Sequence, residues 1–232
     1  MNFLYKDNHL IVCNKASGCL TQTNGFENSL ECQVRQAIKD IENKSGNVFI
    51  HALHRLDKPV SGIVVFAKTG KALTRLQDFQ RQGFFKKVYF ACVEGDVAVD
   101  HGVLEHELIK EEFFSRQAKK NEKGRLSYLE FFVLWRSEHI SCLKIILHTG
   151  FYHQIRLQMH IIGHPIIGDA KYGNDQISSN ILLHHGHFEC PHPISKEIYT
   201  FEAPLPSQWR KFINDRKVWV LNNFQKQDYF SI

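Results

Sequence analysis

SYLEFFVLWRSEHISCLKIILHTG (127–150) holds two runs of β-branched and aromatic residues, parted by the polar tripeptide Arg136-Ser137-Glu138. Runs of this kind are strand-forming, and a short polar break makes them a pair. Three more runs share the character: LIVCNK (10–15), GIVVFAK (62–68) and KVYFACVEG (87–95). Helical signals are fewer. Ser29 caps a predicted helix whose apolar positions Leu30, Val34, Ile38 and Ile41 recur every three or four residues. Leu73, Leu76 and Phe79 mark a second helix ending near Gly83, and a third starts at about Tyr152 and is stopped by Gly163 and Pro165. Strands outnumber helices without a steady βαβ alternation. That pattern predicts an α+β fold: a mostly antiparallel, mixed β-sheet with flanking helices and loops.

The chain has 232 residues, 43% of them hydrophobic and 23% charged, which is globular composition with enough length for a substantial core. No repeat, low-complexity tract or linker interrupts it, so one domain over 1–232 is expected. A net charge of +5 suits a polyanionic partner. The six cysteines are scattered without a C-x-x-C pair, the pattern of buried, reduced thiols. The amino terminus carries no signal core, and no window approaches the roughly 20 apolar residues of a membrane span. A cytoplasmic protein is expected, with no membrane association and no obligate protein partner. Nothing resembles a coiled-coil seam, so a monomer is expected.

Three places offer chemistry. In HRLDKPVSGIVVFAKT (54–69), Lys58 precedes Pro59 and is pushed from helical geometry, so Asp57 sits on an extended loop before a strand, with Ser61-Gly62 as a turn. Such loops present functional side chains, although an aspartate bonded to local backbone N–H groups is the commoner outcome. In HTGFYHQIRLQMHIIGHPIIGDAKYG (148–173), Arg156 falls in the first turns of a helix, able to pair with a carboxylate or a phosphate, or simply to face solvent. His153 and His164 there read as structural hydrogen-bonders. In KKVYFACVEG (86–95), Tyr89 lies on a strand, as a packing residue or a platform for a base.

Together these stretches resemble one family. HRLDKPVSGIVVFAKT is similar to the signature of the RluA-like pseudouridine synthases: HRLD, two variable residues, SG, a hydrophobic run and AK. NKASG (14–18) resembles their amino-terminal KPSG, and KKVYFACVEG their K-x-Y-x-A-x-V-x-G strand. TGFYHQIRLQMHIIGHPIIGDAKYG (149–173) resembles their TGR-x-HQIR…GHPI-GD-YG block, and LLHHGHFECPHPISKEIYTFEAPLP (182–206) their carboxy-terminal ending. The blocks follow family order over nearly the whole chain.

The resemblance implies an isomerase that converts uridine in ribosomal or transfer RNA to pseudouridine. The glycosidic bond is cleaved, the base turned and rejoined through carbon, with no cofactor and no metal. It implies Asp57 as catalytic nucleophile, Arg156 as its partner and Tyr89 against the target base. Arg55 would intrude into the RNA, with His54 and Lys87 as further substrate-binding residues. A nucleophilic carboxylate in a closed site must stay ionised, which a guanidinium favours. The base must leave its stack, at a cost that an aromatic ring offsets. Basic residues then supply phosphate affinity; Lys86, Lys87 and SRQAKKNEKGR (115–125) are candidates, the last as a solvated loop.

Three positions depart from the family pattern. Ala16 replaces the proline of KPSG, and Phe151-Tyr152 stand where the family usually has arginine and a small or aromatic residue. No amino-terminal RNA-binding domain is expected before the first strand, so RNA choice would rest with the catalytic domain. Two rival functions remain. HHGHFECPH (184–192) packs four histidines and a cysteine into nine residues, which suggests a zinc-dependent hydrolase, although the spacing fits no familiar ligand pattern. An RNA-binding protein with a non-catalytic role is the other.

Overall fold

The structure, a computed structural model, describes residues 3–23, 25, 28–173 and 181–211. In chain order its elements begin β1 (Tyr5–Lys6), β2 (Leu10–Lys15), α1 (Leu30–Ile41), β3 (His51–Ala52), β4 (Ser61–Ala67), α2 (Gly70–Arg81) and β5 (Lys86–Glu94). They continue with β6 (His101–Lys110), β7 (Ser115–Gln117), β8 (Arg125–Arg136), β9 (Ile140–Leu147), α3 (Gln154–Ile161), β10 (Leu183–Pro191), β11 (Ile198–Glu202) and a 3-10 turn (Ser207–Lys211). The expected α+β architecture with many strands and few helices is what forms.

Over their described residues, Met1–Lys86 and His185–Pro204 form one compact unit, and Lys87–His184 with Leu205–Ile232 a second. In the first, strands run in the order β1-β2-β4-β10, with β3 on β4 and β11 on β10. β2 pairs antiparallel with β4, setting Val12 opposite Val65 and Asn14 opposite Ile63. Ser29 caps α1, its hydroxyl accepting from the Cys32 N–H. Leu30, Val34 and Ile38 face inward as the spacing predicts, but Ile41 is 53% exposed, because it closes the last turn before the Glu42 cap. Thr69 caps α2 in the same manner, and the helix buries Ala72 and Leu76. These two residues join Leu10, Val12, Ile63, Val65, Phe188 and Phe201 in the core of the unit.

In the second unit the strand order is β5-β9-β8-β6-β7. The expected pair is β8 and β9, antiparallel with a register shift between Val133 and Trp135. β6 pairs with the other side of β8. It carries inward only Leu104 and Leu108 among charged neighbours. Phe90, Cys92, Cys142, Leu182 and Trp209 form one core cluster, and Leu108, Leu157 and Tyr172 another. No described helix is long and apolar enough to cross a membrane.

Candidate active site

Asp57 lies between β3 and β4, in a turn closed by the Val60 N–H donating to the Asp57 carbonyl at 3.0 Å. The turn is therefore centred on Lys58-Pro59. Ser61 and Gly62, expected to make it, are instead the first residues of β4. Gly62 serves a different end. Its φ is +118°, and a Cβ there would stand 2.3 Å from the His185 carbonyl oxygen. Only glycine lets the entry of β4 come this close to β10.

The turn is gripped from both sides by the end of β2 and the segment that follows it. Thr21 Oγ1 donates to the Leu56 carbonyl at 3.0 Å and accepts from the Leu56 N–H at 3.1 Å. Gly18 N–H donates to the Lys58 carbonyl at 2.8 Å, and Ser17 Oγ to the Pro59 carbonyl at 2.7 Å. Lys15, wholly buried, donates from Nζ to the carbonyls of Ala16, Cys19 and Lys58. Burial pushes its pKa down to about 8, against the opposing pull of Cys19 and Asp57. The segment 15–21 is thus a clamp that fixes the backbone before and after Asp57.

His54 packs edge-on against the His185 ring, centroids 5.3 Å apart, and tilted against Phe188 at 5.4 Å. Arg55 is exposed, and Asp57 is half-buried. All three lie in the first unit.

Tyr89, Lys87 and Arg156 lie in the second. Tyr89 is on β5 opposite Ile145 of β9 and is 7% exposed. Lys87 is half-buried beside Gly150, whose missing Cβ would sit 3.5 Å from Nζ. Burial, and then the Arg125 charge, lower its pKa.

The start of α3 is built around Gln154. Its Oε1 accepts from Thr149 Oγ1 at 2.9 Å and from the Phe151 N–H at 3.1 Å, while Nε2 donates to the Tyr128 carbonyl. One buried amide thereby ties the Thr149-Gly150 turn to helix and sheet. Arg156, the third residue of α3, is 5% exposed. Its Nε and Nη2 donate to Asp169 Oδ2 and Oδ1 at 2.8 and 2.7 Å, a bidentate pair, and its guanidinium lies 5.3 Å from the centroid of the Tyr172 ring. Burial pushes the Asp169 carboxyl up. The Arg156 guanidinium and the N–H groups of Lys171 and Tyr172 outweigh it and hold the carboxyl below its ordinary pKa. Asp169, like Thr21 and Lys15, was not singled out from sequence. The GDAKYG stretch that carries it gives no local sign of a partner thirteen residues away.

The histidine-rich run does not make a metal centre. It forms β10, and its rings go to separate partners. His185 Nδ1 bonds the Ile63 carbonyl at 2.8 Å, His187 Nε2 the Glu189 carboxylate at 2.6 Å, and His192 Nε2 the Asp7 carboxylate at 2.8 Å. Among the described residues no three His, Cys, Asp or Glu side chains are placed to hold one ion. The zinc-hydrolase reading therefore fails on geometry.

Comparison with known proteins places the chain in a family. The family model for RNA pseudouridylate synthase matches residues 9–160. The chain is 35% identical to the dual-specificity RNA pseudouridine synthase RluA of Haemophilus influenzae, over 88% of this chain and 92% of that one. It is 26% identical to tRNA pseudouridine synthase C of the same organism, over 92% and 97%. With ribosomal large subunit pseudouridine synthase C of Vibrio parahaemolyticus the figure is 30%, over 90% and 67%. In fold it is similar to human RNA Pseudouridylate Synthase Domain Containing 4, with a TM-score of 0.76 at 18% identity over 90% of each chain. With the clamped aspartate turn, the matched model and these relatives in view, the chain belongs to the RNA pseudouridylate synthase family.

Proposed function

We propose that this protein isomerises uridines of ribosomal or transfer RNA to pseudouridine, with Asp57 as the nucleophile. Family membership makes it an isomerase of RNA uridine. The residue roles and the RNA class are our reading. The observation that carries the role of Asp57 is its clamp: hydrogen bonds from Thr21, Gly18, Ser17 and Lys15 fix the residues on both sides of it. A backbone held this firmly around a half-buried carboxylate is what a nucleophile requires, since a displacement of about 1 Å costs about a hundredfold in rate.

In this reading Arg156 supplies the cation that keeps the carboxylate ionised, and Tyr89 packs on the extruded base. Arg55 enters the RNA in place of the base, and His54 and Lys87 contact the substrate. No cofactor or metal takes part, and the protein acts as a cytoplasmic, monomeric, single catalytic domain. Its relatives include enzymes named for ribosomal RNA, for transfer RNA and for dual specificity, so both RNA classes are proposed substrates.

The test is pseudouridine mapping of total RNA from cells with and without the gene. A modified position that is lost on deletion, and restored by the wild-type gene but not by Asp57→Asn, establishes reaction, substrate and nucleophile together. Restoration by Asp57→Asn removes Asp57 from the chemistry. RNA binding by Asp57→Asn at wild-type strength, with conversion abolished, separates catalysis from a binding role.

A further inference from the structure

One cavity in the second unit has no part in the roles above. It measures about 510 Å³ and is lined in part by Phe114, Arg116, Leu157, His160, Lys171 and Tyr172. That volume suits a single small ligand group. Its apolar wall is rigid. The Tyr172 hydroxyl accepts from the Ser115 N–H at 2.7 Å and meets His153 Nδ1 at 3.0 Å, which fixes the ring. At the rim Phe114 is 44% exposed and its neighbour Phe113 66% exposed, a placement that costs free energy in water.

Among the described residues the lining includes arginine, lysine and histidine and no carboxylate. Arg116 is held by Glu111 and Glu122, with Nε–Oε1 at 2.8 Å and Nη1–Oε2 at 2.6 Å, so its charge is already compensated. Lys171 donates from Nζ to the Phe113 carbonyl, a neutral group, and among the described residues no carboxylate compensates its charge. The adjoining stretch 110–125 carries six basic side chains, Lys110, Arg116, Lys119, Lys120, Lys123 and Arg125, against three acidic ones, Glu111, Glu112 and Glu122. An aromatic-walled recess with a cationic rim is complementary to a nucleotide: a base has a π-face and its phosphate a negative charge.

We propose that this cavity is an accessory RNA subsite that takes one unpaired nucleotide of the substrate, its base against the Phe114 ring and its phosphate against Lys171. The proposal rests on the reading of the protein as an RNA-modifying enzyme. It adds a determinant of RNA choice beyond the roles named above. An unpaired nucleotide is required because a stacked, paired one offers no free face.

The test measures binding of bulk transfer RNA, and separately of ribosomal RNA, over a salt series by filter retention, so that it does not depend on conversion. Phe114→Ala is expected to weaken binding of at least one RNA class about tenfold with no change in salt dependence, since a stack is lost and no charge. Lys171→Gln is expected to weaken the same class and to lower the slope of log affinity against log salt by about one, the signature of one phosphate contact. Should Phe114→Ala fail to fold, Phe114→Leu keeps the apolar contact, removes the ring, and carries the same expectation. Unchanged affinity and slope in folded variants overturns the subsite while leaving the enzyme reading intact. A wild-type protein that binds RNA with these variant effects yet converts no uridine overturns the enzyme reading and leaves the subsite.

Discussion

The Ser17 hydroxyl donates to the Pro59 carbonyl at 2.7 Å across 42 residues of sequence. The bond joins the turn after the second strand to the turn that carries Asp57. Together with the bonds from Gly18 and Lys15 to the Lys58 carbonyl, it explains why NKASG and HRLDKP belong to one chain. Neither segment has regular structure of its own at this point, so each supplies hydrogen-bond partners that the other lacks.

Thr21→Val is the sharpest test of the clamp. Valine keeps the shape of threonine but removes both bonds to Leu56, leaving a buried N–H and C=O without them. The expected loss of stability is about 1–3 kcal/mol. The turnover number for uridine conversion should fall while KM for RNA stays near its wild-type value, and Thr21→Ser should restore most of the rate. Equal turnover in Thr21→Val would make the clamp structural only.

Arg156 and Asp169 form the buried pair of the second unit, with side chains 7% and 0% exposed. Asp169→Ala strands a buried guanidinium and is expected to cost about 3–5 kcal/mol. Asp169→Asn retains one acceptor and should cost less. Arg156→Met should lower conversion by several orders of magnitude; it also strands the buried Asp169 carboxylate at a cost of about 3–5 kcal/mol, so its conversion is compared on protein shown to be folded. Thermal unfolding and single-turnover conversion, measured on all three, distinguish these outcomes. Conversion by Arg156→Met at the wild-type rate would remove Arg156 from the mechanism.

How much was readable in advance follows from the range of the contacts. The cap and inward face of α1 and the presence of α2 were legible because Ser29 and the apolar spacing act within a few residues; the Thr69 cap of α2 was not singled out. The β8–β9 pair was legible from its two runs and polar break. β6 was not, since only Leu104 and Leu108 turn inward and the rest reads as a polar loop. Ser115–Gln117 reads as a loop for the same reason and forms β7 on β6. Ser61-Gly62 read as a turn because a glycine after a serine signals one locally. Its actual cause, the backbone of His185, lies over a hundred residues away. Asp57 stood out by its motif, but the groups that hold it are 35 to 43 residues distant and leave no local trace.

Gly62→Ala tests that distant cause. The residue combines φ +118° with backbone atoms of His185 at 2.3–2.8 Å from any added Cβ. Backbone cannot yield as a flexible side chain would, so β4 or β10 must shift. A positive φ of this kind costs about 1–3 kcal/mol by itself, and the overlap adds to it. The variant is expected to unfold at markedly lower denaturant concentration or to accumulate as insoluble protein. A midpoint equal to wild type would show that the two strands do not approach this closely.

Lys15 gives a pH prediction with a defined sign. Its folded pKa is about 8, against 10.5 in the unfolded chain, because burial disfavours the ammonium. Below pH 8 the lysine is charged in both states, and the full burial penalty is present. Between pH 8 and 10.5 the folded protein releases the proton while the unfolded chain retains it, so stability rises with pH through that window. At ~1.4 kcal/mol per pH unit the gain amounts to about 3 kcal/mol by pH 10.5. Lys15→Met lacks this titration. The difference in unfolding free energy between wild type and Lys15→Met, followed by denaturant titration from pH 7 to pH 10.5, should therefore shift in favour of wild type. Other groups that titrate in the window cancel in the difference. Conversion should move the other way. Deprotonation removes the positive charge that faces Asp57 and weakens the hold on the Lys58 carbonyl, so wild-type turnover should decline above pH 8. A stability difference that stays flat across the window would mean that Lys15 keeps an ordinary pKa and that the amino-terminal clamp is open to water.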